Sequence, residues 1–292
     1  MPELPEVQTV VTTLRPRLLG QTIRHVQLNR RDIVEPIEAD LPALLAGRTF
    51  ADIQRRGKRI VITLDDGNRF YIHLGMTGRL TIEKPSDPAL PHTHLIVDFA
   101  VSQSVQLRFC DPRRFGGIWW LGNADADEGM GPEPLTLKTK TLADNLGRTT
   151  RAIKSALLDQ SVVAGLGNIY VDESLFTAKI HPLTPANKLS GEQVTRLNRA
   201  IKSTLRKAIN ARGSTLRDYR DADGNAGDFQ KLHRVYARDG QPCAVCRETI
   251  QRIVLGGRST CFCPDCQKPA AAIAKTARRG KSSLTQKRPR RL

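Results

Sequence analysis

The hydrophobic pattern changes its period near residue 130, and this change constrains the fold more than any other feature of the sequence. Between residues 22 and 122 apolar residues alternate with polar ones or form short runs, as at 59–64 and 69–74. Such runs predict strands, and Asp65-Asp66-Gly67-Asn68 between them predicts a hairpin turn. Beyond the turn-rich stretch 129–134, apolar residues recur at helical spacing. The sequence therefore predicts an α+β chain in which an antiparallel β-sandwich or barrel precedes a helical domain.

Apolar residues at helical spacing predict five helices, at residues 4–18, 41–46, 151–158, 168–176 and 190–213. Gly20 follows the end of the first helix, and Gly213 closes the last, which opens on a capping box of Ser190 and Gln193. Two glycines, at 165 and 167, lie just before the fourth helix. They either let the backbone approach a ligand such as a phosphate or simply form a turn.

Four of the six cysteines form a C-x₂-C-x₁₆-C-x₂-C array, namely Cys243, Cys246, Cys263 and Cys266. This spacing predicts one zinc ion in a shell of four thiolates, and such a shell is structural because it leaves no position open for water. Paired disulfides are the alternative, but a reducing compartment disfavours them. Cys261 could in principle replace Cys263, yet only Cys263 completes the second C-x₂-C pair.

Basic residues outnumber acidic ones by 46 to 29, which gives a formal net charge of +17. A polyanion is the first partner to consider for such a chain. Eight basic residues and no acidic ones lie at 269–292, and this stretch is predicted to be a disordered tail that attracts phosphates or only aids solubility. No apolar run is long enough to cross a bilayer and no signal peptide opens the chain. A cytoplasmic protein, associated with the nucleoid through DNA, is therefore expected.

Four motifs in order combine into one family resemblance. They are Met1-Pro2-Glu3-Leu4-Pro5-Glu6-Val7, Asp111-Pro112-Arg113-Arg114-Phe115-Gly116-Gly117, Gly165-Leu166-Gly167-Asn168-Ile169-Tyr170 and the four-cysteine array. Over residues 1–268 the chain resembles the formamidopyrimidine-DNA glycosylases. The resemblance implies an N-terminal catalytic β-sandwich domain at 1–132, a helix-two-turn-helix DNA-binding domain at 133–235 and a zinc-binding β-hairpin at 236–268. The basic tail at 269–292 lies outside the pattern.

The predicted nucleophile is the amine of Pro2, which becomes the N-terminal residue when Met1 is removed. Met1 precedes a small residue, so its removal would expose the secondary amine of Pro2. An N-terminal amine with a pKa of about 7.7–8.0 is unprotonated far more often at neutral pH than a lysine with a pKa of about 10.4. Its attack on C1′ of a damaged nucleoside would expel the base and leave an iminium, which permits strand scission by β,δ-elimination. Without the resemblance, Pro2 would be interpreted as a residue that starts a helix.

The resemblance assigns three further residues to catalysis. Glu3 is suited to move protons at the sugar ring oxygen and at the amine. Lys58 matches a lysine that binds the phosphate beside the lesion and assists catalysis; the alternative is an ordinary surface lysine. Glu6 matches a supporting residue, although it could equally serve only to stabilise the first helical turn.

The resemblance also assigns residues to the DNA around a flipped base. Met76, Arg113 and Phe115 would fill the gap, because methionine suits irregular space, phenylalanine can wedge between bases and arginine can hydrogen-bond the orphaned cytosine. By composition alone, Met76 and Phe115 would be core residues, but their positions beside Gly75 and Gly116, where chains turn, favour exposed loops. Phosphate contacts are assigned to His73, Lys154, Asn168, Tyr236 and Arg258. For Arg258 a solvated loop charge is the alternative.

Residues 213–229 align with the family's loop that covers the flipped base. This chain departs from the family there, with Arg212 where glycine is common, Ala226 where proline is common and Asp228 where an aromatic residue is common. These changes leave the chemistry intact and bear on base preference and loop order. Such a loop is expected to have few packing anchors and to be mobile without DNA.

Together these inferences predict a monomeric, bifunctional DNA glycosylase/AP lyase of base excision repair, with one structural zinc ion. Its substrates would be formamidopyrimidines and 8-oxoguanine in double-stranded DNA. An endonuclease VIII-like enzyme for oxidised pyrimidines is the rival within this class, and Leu4 and the intact Arg113-Arg114-Phe115 argue against it. The rival from another class is a catalytically silent, zinc-containing DNA-binding module, which would not need Pro2, Glu3 and Lys58 together.

Overall fold

The structure is a computed structural model that describes residues 2–127 and 129–269. The predicted tail, beyond its first residue, lies outside the described residues, as does Met1. The described chain divides into two compact units. The first comprises residues up to Thr136, Gln160–Gly167 and Lys202–Leu232, and the second comprises Leu137–Asp159, Asn168–Ile201 and the residues from His233 onwards. Within the described ranges, no helix is both long enough and apolar enough to cross a membrane.

The first unit contains a β-sandwich and two helices. Its elements are α1 (Leu4–Leu18), β1 (Ile23–Leu28), β2 (Val34–Glu35), α2 (Leu41–Leu45), β3 (Phe50–Arg56), β4 (Arg59–Leu64), β5 (Arg69–His73), β6 (Arg79–Glu83), β7 (Thr93–Phe99), β8 (Gln106–Cys110) and β9 (Gly117–Gly122). One sheet has the strand order β1-β7-β8-β6 and the other β2-β9-β5-β4-β3. All pairs are antiparallel except β2 with β9. The predicted β-sandwich is thus confirmed.

The hairpin between β4 and β5 forms where the sequence predicts it. Thr63 pairs with Arg69, and the backbone N–H of Leu64 donates to the carbonyl of Asn68 at 2.8 Å. Gly67 has a φ of +84°, a conformation that glycine adopts without steric penalty. The inward faces of the strands and of α1 share one apolar core, in which the rings of Phe50 and Phe99 meet edge to face at 6.0 Å.

The second unit is helical and ends in a hairpin. Its elements are α3 (Thr139–Gly147), α4 (Ile153–Leu158), α5 (Asn168–Thr177), β10 (Gln251–Leu255) and β11 (Arg258–Phe262). A further helix, α6 (Gly191–Asn210), begins in this unit, and its last turns are counted with the first unit. These elements confirm the predicted fold class. The division of the chain into four segments, proposed from the sequence, remains a prediction.

Both ends of α6 are stabilised by the residues that flank it. The N–H of Ser190 donates to Oε1 of Gln193 at 2.8 Å, and the N–H of Gln193 donates to Oγ of Ser190 at 3.2 Å, as the capping box predicts. At the other end, the N–H of Gly213 donates to the carbonyl of Ala208 and that of Arg212 to the carbonyl of Ile209. This is a Schellman termination, with arginine in the left-handed position where glycine is usual.

The capping box leads to a test of α6 stability. We expect Ser190→Ala to lower the free energy of unfolding by about 1 kcal/mol, because the first turn loses a side-chain acceptor for its N–H groups. Thr195→Ala is the matched control: its hydroxyl donates to the carbonyl of Gly191 inside the helix, a bond that does not cap the terminus. Chemical denaturation measures both variants. Equal stability of Ser190→Ala and the wild type would contradict the cap.

Candidate functional site

Two buried glutamates organise the N-terminal residues. Pro2, Glu3 and Glu6 are all buried, and Glu3 precedes the first residue of α1. The N–H of Glu3 donates to Oε2 of Glu6 at 2.8 Å, so that the two residues form a reciprocal capping box. Oε1 of Glu6 accepts the N–H of Ser214 at 2.6 Å. Glu6 therefore connects the start of α1 to the segment that follows α6.

The glycines at 165 and 167 allow the backbone to approach these residues. A Cβ atom on Gly167 would lie 2.3 Å from Cδ of Glu3, and one on Gly165 would lie 2.7 Å from Cδ1 of Leu4. The N–H of Leu4 donates to the carbonyl of Gly165 at 3.1 Å. The close approach is thus to the protein's own N-terminal helix, and larger residues at either glycine would displace Glu3 or Leu4.

Lys58 lies in the turn between β3 and β4, and only 8% of it is exposed. The turn is held by Glu133, which accepts the N–H of Gly57 at 2.6 Å and a bidentate contact from Arg55 at 3.0 and 2.7 Å. A Cβ atom on Gly57 would lie 3.5 Å from the backbone nitrogen of Gly165. The structure therefore brings the turn that carries Lys58 against the segment that contacts Glu3.

His73, at the end of β5, is a neutral hydrogen-bonding group at pH 7. Burial lowers its pKa to about 4, and the positive charges of Lys58 and Arg59 act in the same direction. Its Nδ1 accepts the N–H of Gly75 at 3.1 Å, which leaves the ring proton on Nε2. His73 is thus suited to donate one hydrogen bond and does not carry a positive charge.

The three residues predicted to fill a DNA gap lie on two neighbouring loops. Met76 and Phe115 are 42% and 56% exposed, against the expectation from composition that both are core residues. The guanidinium of Arg113 lies 4.8 Å from the centre of the Phe115 ring. A Cβ atom on Gly75 would lie 2.3 Å from the backbone nitrogen of Gly116, so the two loops touch at this glycine.

A buried carboxylate fixes this pair of loops. Asp111 is fully buried; its Oδ2 accepts the N–H of Gly116 at 2.7 Å, and its Oδ1 accepts the N–H of Arg113 at 3.3 Å. The hydroxyl of Thr77, on the other loop, also donates to Oδ1 of Asp111. Both loops therefore depend on one side chain, which lies inside the quoted Asp111–Gly117 motif although its role was not recognised from the sequence.

The loop after α6 has several anchors, and the expectation that it has few was wrong. The hydroxyl of Tyr219 donates to the carbonyl of Glu6 at 3.3 Å, and the N–H of Ala222 donates to the hydroxyl of Thr13 at 3.2 Å. The carbonyl of Ala222 accepts the N–H of Ile82 at 2.9 Å. Burial raises the pKa of Tyr219, so its hydroxyl remains protonated and able to donate. Burying a tyrosine body while its hydroxyl is bonded anchors the loop to α1.

In the second unit, Lys154 and Asn168 both contact the zinc hairpin. Nζ of Lys154 donates to Oδ1 of Asp172 at 2.7 Å and to the carbonyl of Ser259 at 2.9 Å, and Nδ2 of Asn168 donates to that carbonyl at 3.0 Å. Burial raises the pKa of Asp172 to about 6, against the lowering by Lys154. Lys154 is fully buried, so a direct contact with phosphate requires a different conformation and remains a prediction.

Arg258 and Tyr236 occupy more accessible positions in this unit. Arg258 is exposed and begins β11, directly after two glycines with φ of +55° and +73° that form the hairpin turn. Tyr236 is half-buried and follows a backbone segment held by Glu173, which accepts the N–H groups of 234, 235 and 236 at 2.9–3.0 Å. Asp172 and Glu173 are acidic residues that lie between two apolar stretches of α5, at 169–171 and 175–176. That pattern could have identified both as buried and paired.

The four predicted zinc ligands converge. The Sγ atoms of Cys243, Cys246, Cys263 and Cys266 all lie within 4.8 Å of one another, and Cys246 and Cys263 are 3.4 Å apart. A tetrahedron with metal–sulfur bonds of about 2.3 Å has edges of about 3.8 Å, so the cluster fits one zinc ion. Cys261 is buried outside the group, which confirms Cys263 as the ligand. The chain thus has one structural zinc site.

Comparison with known proteins gives matches to the N-terminal part, the helical part and the cysteine-rich hairpin, in that order along the chain. Three family models match: the formamidopyrimidine-DNA glycosylase N-terminal domain at residues 1–118, the formamidopyrimidine-DNA glycosylase H2TH domain at 130–220, and the zinc finger found in FPG and IleRS at 240–269. Formamidopyrimidine-DNA glycosylase of Gluconobacter oxydans is 44% identical over 279 residues, which cover 92% of this chain and 100% of the relative. That of Symbiobacterium thermophilum is 42% identical, covering 96% of this chain and 94% of the relative.

Solved structures agree with the sequence matches. A Lactococcus lactis FPG variant, in complex with DNA containing Fapy-dG, superposes with a TM-score of 0.85 at 37% identity and covers 92% of this chain and all of its own. MutM (FPG) from Thermus thermophilus gives a TM-score of 0.82 at 39% identity, with the same coverage. The three matched domains occur together in this chain, and they place it among the DNA glycosylases that carry a zinc finger. The chain belongs to the formamidopyrimidine-DNA glycosylase family.

The cysteine cluster leads to a metal-content test. We expect purified protein to contain one zinc ion per chain and a chelator to lower its unfolding temperature, because the four thiolates form the only shell identified among the described residues. Cys263→Ser should lose the metal, whereas Cys261→Ala should retain it as the matched control. Elemental analysis measures both variants. Zinc retained by Cys263→Ser but lost by Cys261→Ala would overturn the ligand assignment.

Proposed function

We propose that this protein is a bifunctional DNA glycosylase/AP lyase of base excision repair that removes oxidised purines. The observation that carries the proposal is the position of Pro2: it adjoins Glu3, and Glu3 contacts the segment against which the turn of Lys58 packs. An amine and a carboxylate from the N-terminus and a lysine from the β3–β4 turn are thereby brought to the same segment of the chain. A module that only binds DNA has no use for that arrangement.

The amine of Pro2 is the proposed nucleophile, once Met1 is removed. Its lone pair forms a bond to C1′ of the damaged nucleoside while the glycosidic bond breaks and its electrons leave with the base. The amine then loses its proton, and the C1′–O4′ bond breaks as Glu3 delivers a proton to O4′, so that the sugar ring opens and leaves an iminium at C1′. The positive charge of this iminium acidifies the C2′ hydrogen. Loss of that proton expels the 3′ phosphate, and a second elimination expels the 5′ phosphate. Hydrolysis then returns the free amine, so that one residue accounts for both activities.

Glu3, Lys58 and His73 are proposed to support these steps in different ways. Glu3 is held by its backbone to Glu6 and moves protons at the sugar ring oxygen and the amine. Lys58 supplies a positive charge to the phosphate beside the lesion. His73 donates Nε2–H to a phosphate oxygen as a neutral group, consistent with its lowered pKa. Glu6 acts as the support that holds Glu3 and Ser214.

The substrate is proposed to be duplex DNA with a flipped, oxidised purine. Structures of relatives contain DNA with Fapy-dG, an abasic site or carbocyclic 8-oxo-G, and these ligands have the chemistry expected here. Met76, Arg113 and Phe115 would occupy the gap left by the base, and their exposure on two fixed loops supports this role. Asn168, Tyr236 and Arg258 would bind phosphates, with Lys154 holding the hairpin behind them.

The zinc site stabilises the hairpin that presents Arg258, and four thiolate ligands leave it no catalytic position. We further propose that the protein works as a cytoplasmic monomer at the nucleoid. Two rival functions remain: an endonuclease VIII-like enzyme that acts on oxidised pyrimidines, and a protein that binds DNA without catalysis. The following experiment distinguishes both from our proposal.

Borohydride trapping tests the nucleophile. We expect a covalent adduct with a duplex that carries 8-oxoguanine opposite cytosine, mapped by mass spectrometry to the peptide beginning at Pro2, because hydride reduces the iminium to a stable amine. A duplex with oxidised thymine is the comparison and should give less adduct. An adduct on a lysine would contradict the assignment of Pro2 as the nucleophile. The absence of an adduct with either duplex would contradict the proposal that the protein is an enzyme.

Glu3→Gln tests proton transfer. We expect excision of 8-oxoguanine to fall by about 100-fold or more, because the amide keeps the shape of the side chain but cannot exchange a proton. Glu192→Gln, an exposed glutamate in the first turn of α6, is the control and should react like the wild type. Single-turnover rates measure the effect. Wild-type activity of Glu3→Gln would remove it from the mechanism.

Salt dependence tests the contact of Arg258 with phosphate. We expect Arg258→Gln to reduce the slope of log K against log salt by about 1, because one fewer counterion is released on binding. Arg252→Gln, an exposed arginine on the paired strand β10, is the matched control and should keep the wild-type slope. Fluorescence anisotropy over a salt series gives both slopes. Identical slopes for all three proteins would argue against Arg258 as a phosphate contact.

A further inference from the structure

The arginine that stands where the family usually has glycine makes a specific contact. Arg212 has a φ of +60°, the left-handed conformation that glycine adopts freely and arginine rarely. Its guanidinium is paired with Oδ2 of Asp221, in the middle of the loop that follows α6. The chain therefore tolerates backbone strain at the end of a helix, and the side chain so placed reaches into the loop.

Asp221 organises the tip of that loop. Only 1% of it is exposed, and its Oδ1 accepts the N–H groups of Asp223 at 3.0 Å and Asn225 at 2.8 Å. Its own N–H donates to the carbonyl of Asn225 at 2.9 Å. A buried carboxylate is costly unless hydrogen bonds or an opposite charge compensate for its lost solvation, and Asp221 has two backbone donors on Oδ1 and a guanidinium on Oδ2. Removal of the guanidinium would leave the negative charge of Asp221 buried with only backbone donors.

The same loop is connected to the N-terminal residues. The N–H of Ser214 donates to Glu6, and the hydroxyl of Tyr219 donates to the carbonyl of Glu6. Glu6 in turn accepts the N–H of Glu3. The loop is thus tied at its beginning to the residues of the proposed chemistry and at its centre to Arg212. The contact at the centre of the loop is made by Arg212, a residue that is not typical of the family at this position.

We propose that Arg212 and Asp221 are a positioning pair that holds the 214–228 loop in its ordered form and thereby favours substrates that still carry a base. The inference rests on the proposed function, since the aligned loop covers the flipped base. A loop ordered before DNA binds loses less conformational freedom on closing over the base. An abasic site has no base for the loop to cover, so the rate of cleavage at an abasic site should not depend on whether the 214–228 loop is ordered.

The test compares two DNA substrates on the same variants. In single-turnover reactions, Arg212→Gly should excise 8-oxoguanine opposite cytosine about tenfold more slowly, as expected if the closed loop falls from mostly populated to about one molecule in ten. Cleavage of a duplex with a preformed abasic site should stay at the wild-type rate. Glycine suits the left-handed position, so Arg212→Gly should fold, and its unfolding temperature verifies this. Amide hydrogen exchange of the 214–228 loop should become faster in this variant.

A second variant and a matched control complete the design. Asp221→Asn should show the same substrate-dependent loss, and the double variant should be no slower than the slower single variant, because both remove one interaction. Arg17→Gln is the control: Arg17 is about as exposed as Arg212 and pairs with Asp223 of the same loop at 2.9 Å. Its partner Asp223 is 30% exposed, whereas Asp221 is only 1% exposed, so the ion pair of Arg17 contributes little. It should react like the wild type on both substrates.

The outcomes distinguish this inference from the proposed function. Equal losses on the two substrates, or a wild-type rate of Arg212→Gly on 8-oxoguanine with unchanged amide exchange, would overturn the positioning pair while leaving the enzyme proposal intact. A wild-type protein that cleaves neither duplex would overturn the proposed function and the pair's role with it.

Discussion

The carboxylate of Glu6 is the interaction on which the rest of the first unit depends. A buried negative charge is costly unless its oxygens are bonded, and each oxygen of Glu6 accepts one backbone N–H, from Glu3 and from Ser214. Because these donors lie at opposite ends of the first unit's sequence, the bonds close a loop of about two hundred residues. The backbone position of Glu3 therefore depends on Glu6, and the Glu6 side chain cannot shift without disturbing the start of the 214–228 loop.

The same kind of contact, a carboxylate that accepts backbone N–H groups, recurs in four irregular segments of the structure. Glu133 holds the turn of Lys58, Asp111 holds the loops of Met76 and Phe115, Glu173 holds the backbone before Tyr236, and Asp221 holds the 214–228 loop. In each case a carboxylate accepts backbone N–H groups that no strand or helix can satisfy. The turn of Lys58, the loops of Met76 and Phe115 and the segment of Tyr236 thus lack regular structure, and each is fixed by one acidic residue. Precision at the site comes from these acids, because loops alone do not supply it.

Local features were predicted well from the sequence, and contacts between distant residues were not. The hairpin at 65–68, the Ser190 capping box and the choice of Cys263 over Cys261 all follow from patterns within a few residues, where propensity and spacing carry the information. The bond from Glu6 to Ser214 has no local signature, because it depends on how elements pack. The contacts of Lys154 were not predictable for the same reason. Its ammonium donates to Asp172 and to the carbonyl of Ser259, and both acceptors are distant in the sequence.

The net charge of +17 overstates the charge available to DNA, because several of the basic side chains are paired with acidic ones inside the protein. Arg55 and Arg56 are paired with Glu133, and Lys154 is paired with Asp172, so these cations serve the fold more than a ligand. A paired, buried cation adds little to the field outside the protein, whereas an exposed one such as Arg113 or Arg258 attracts phosphate at once. Affinity for DNA should therefore follow the few exposed cations on fixed loops and not the total charge. A substitution that removes a buried cation would act on DNA binding through loop order, and one that removes an exposed cation would act through electrostatics.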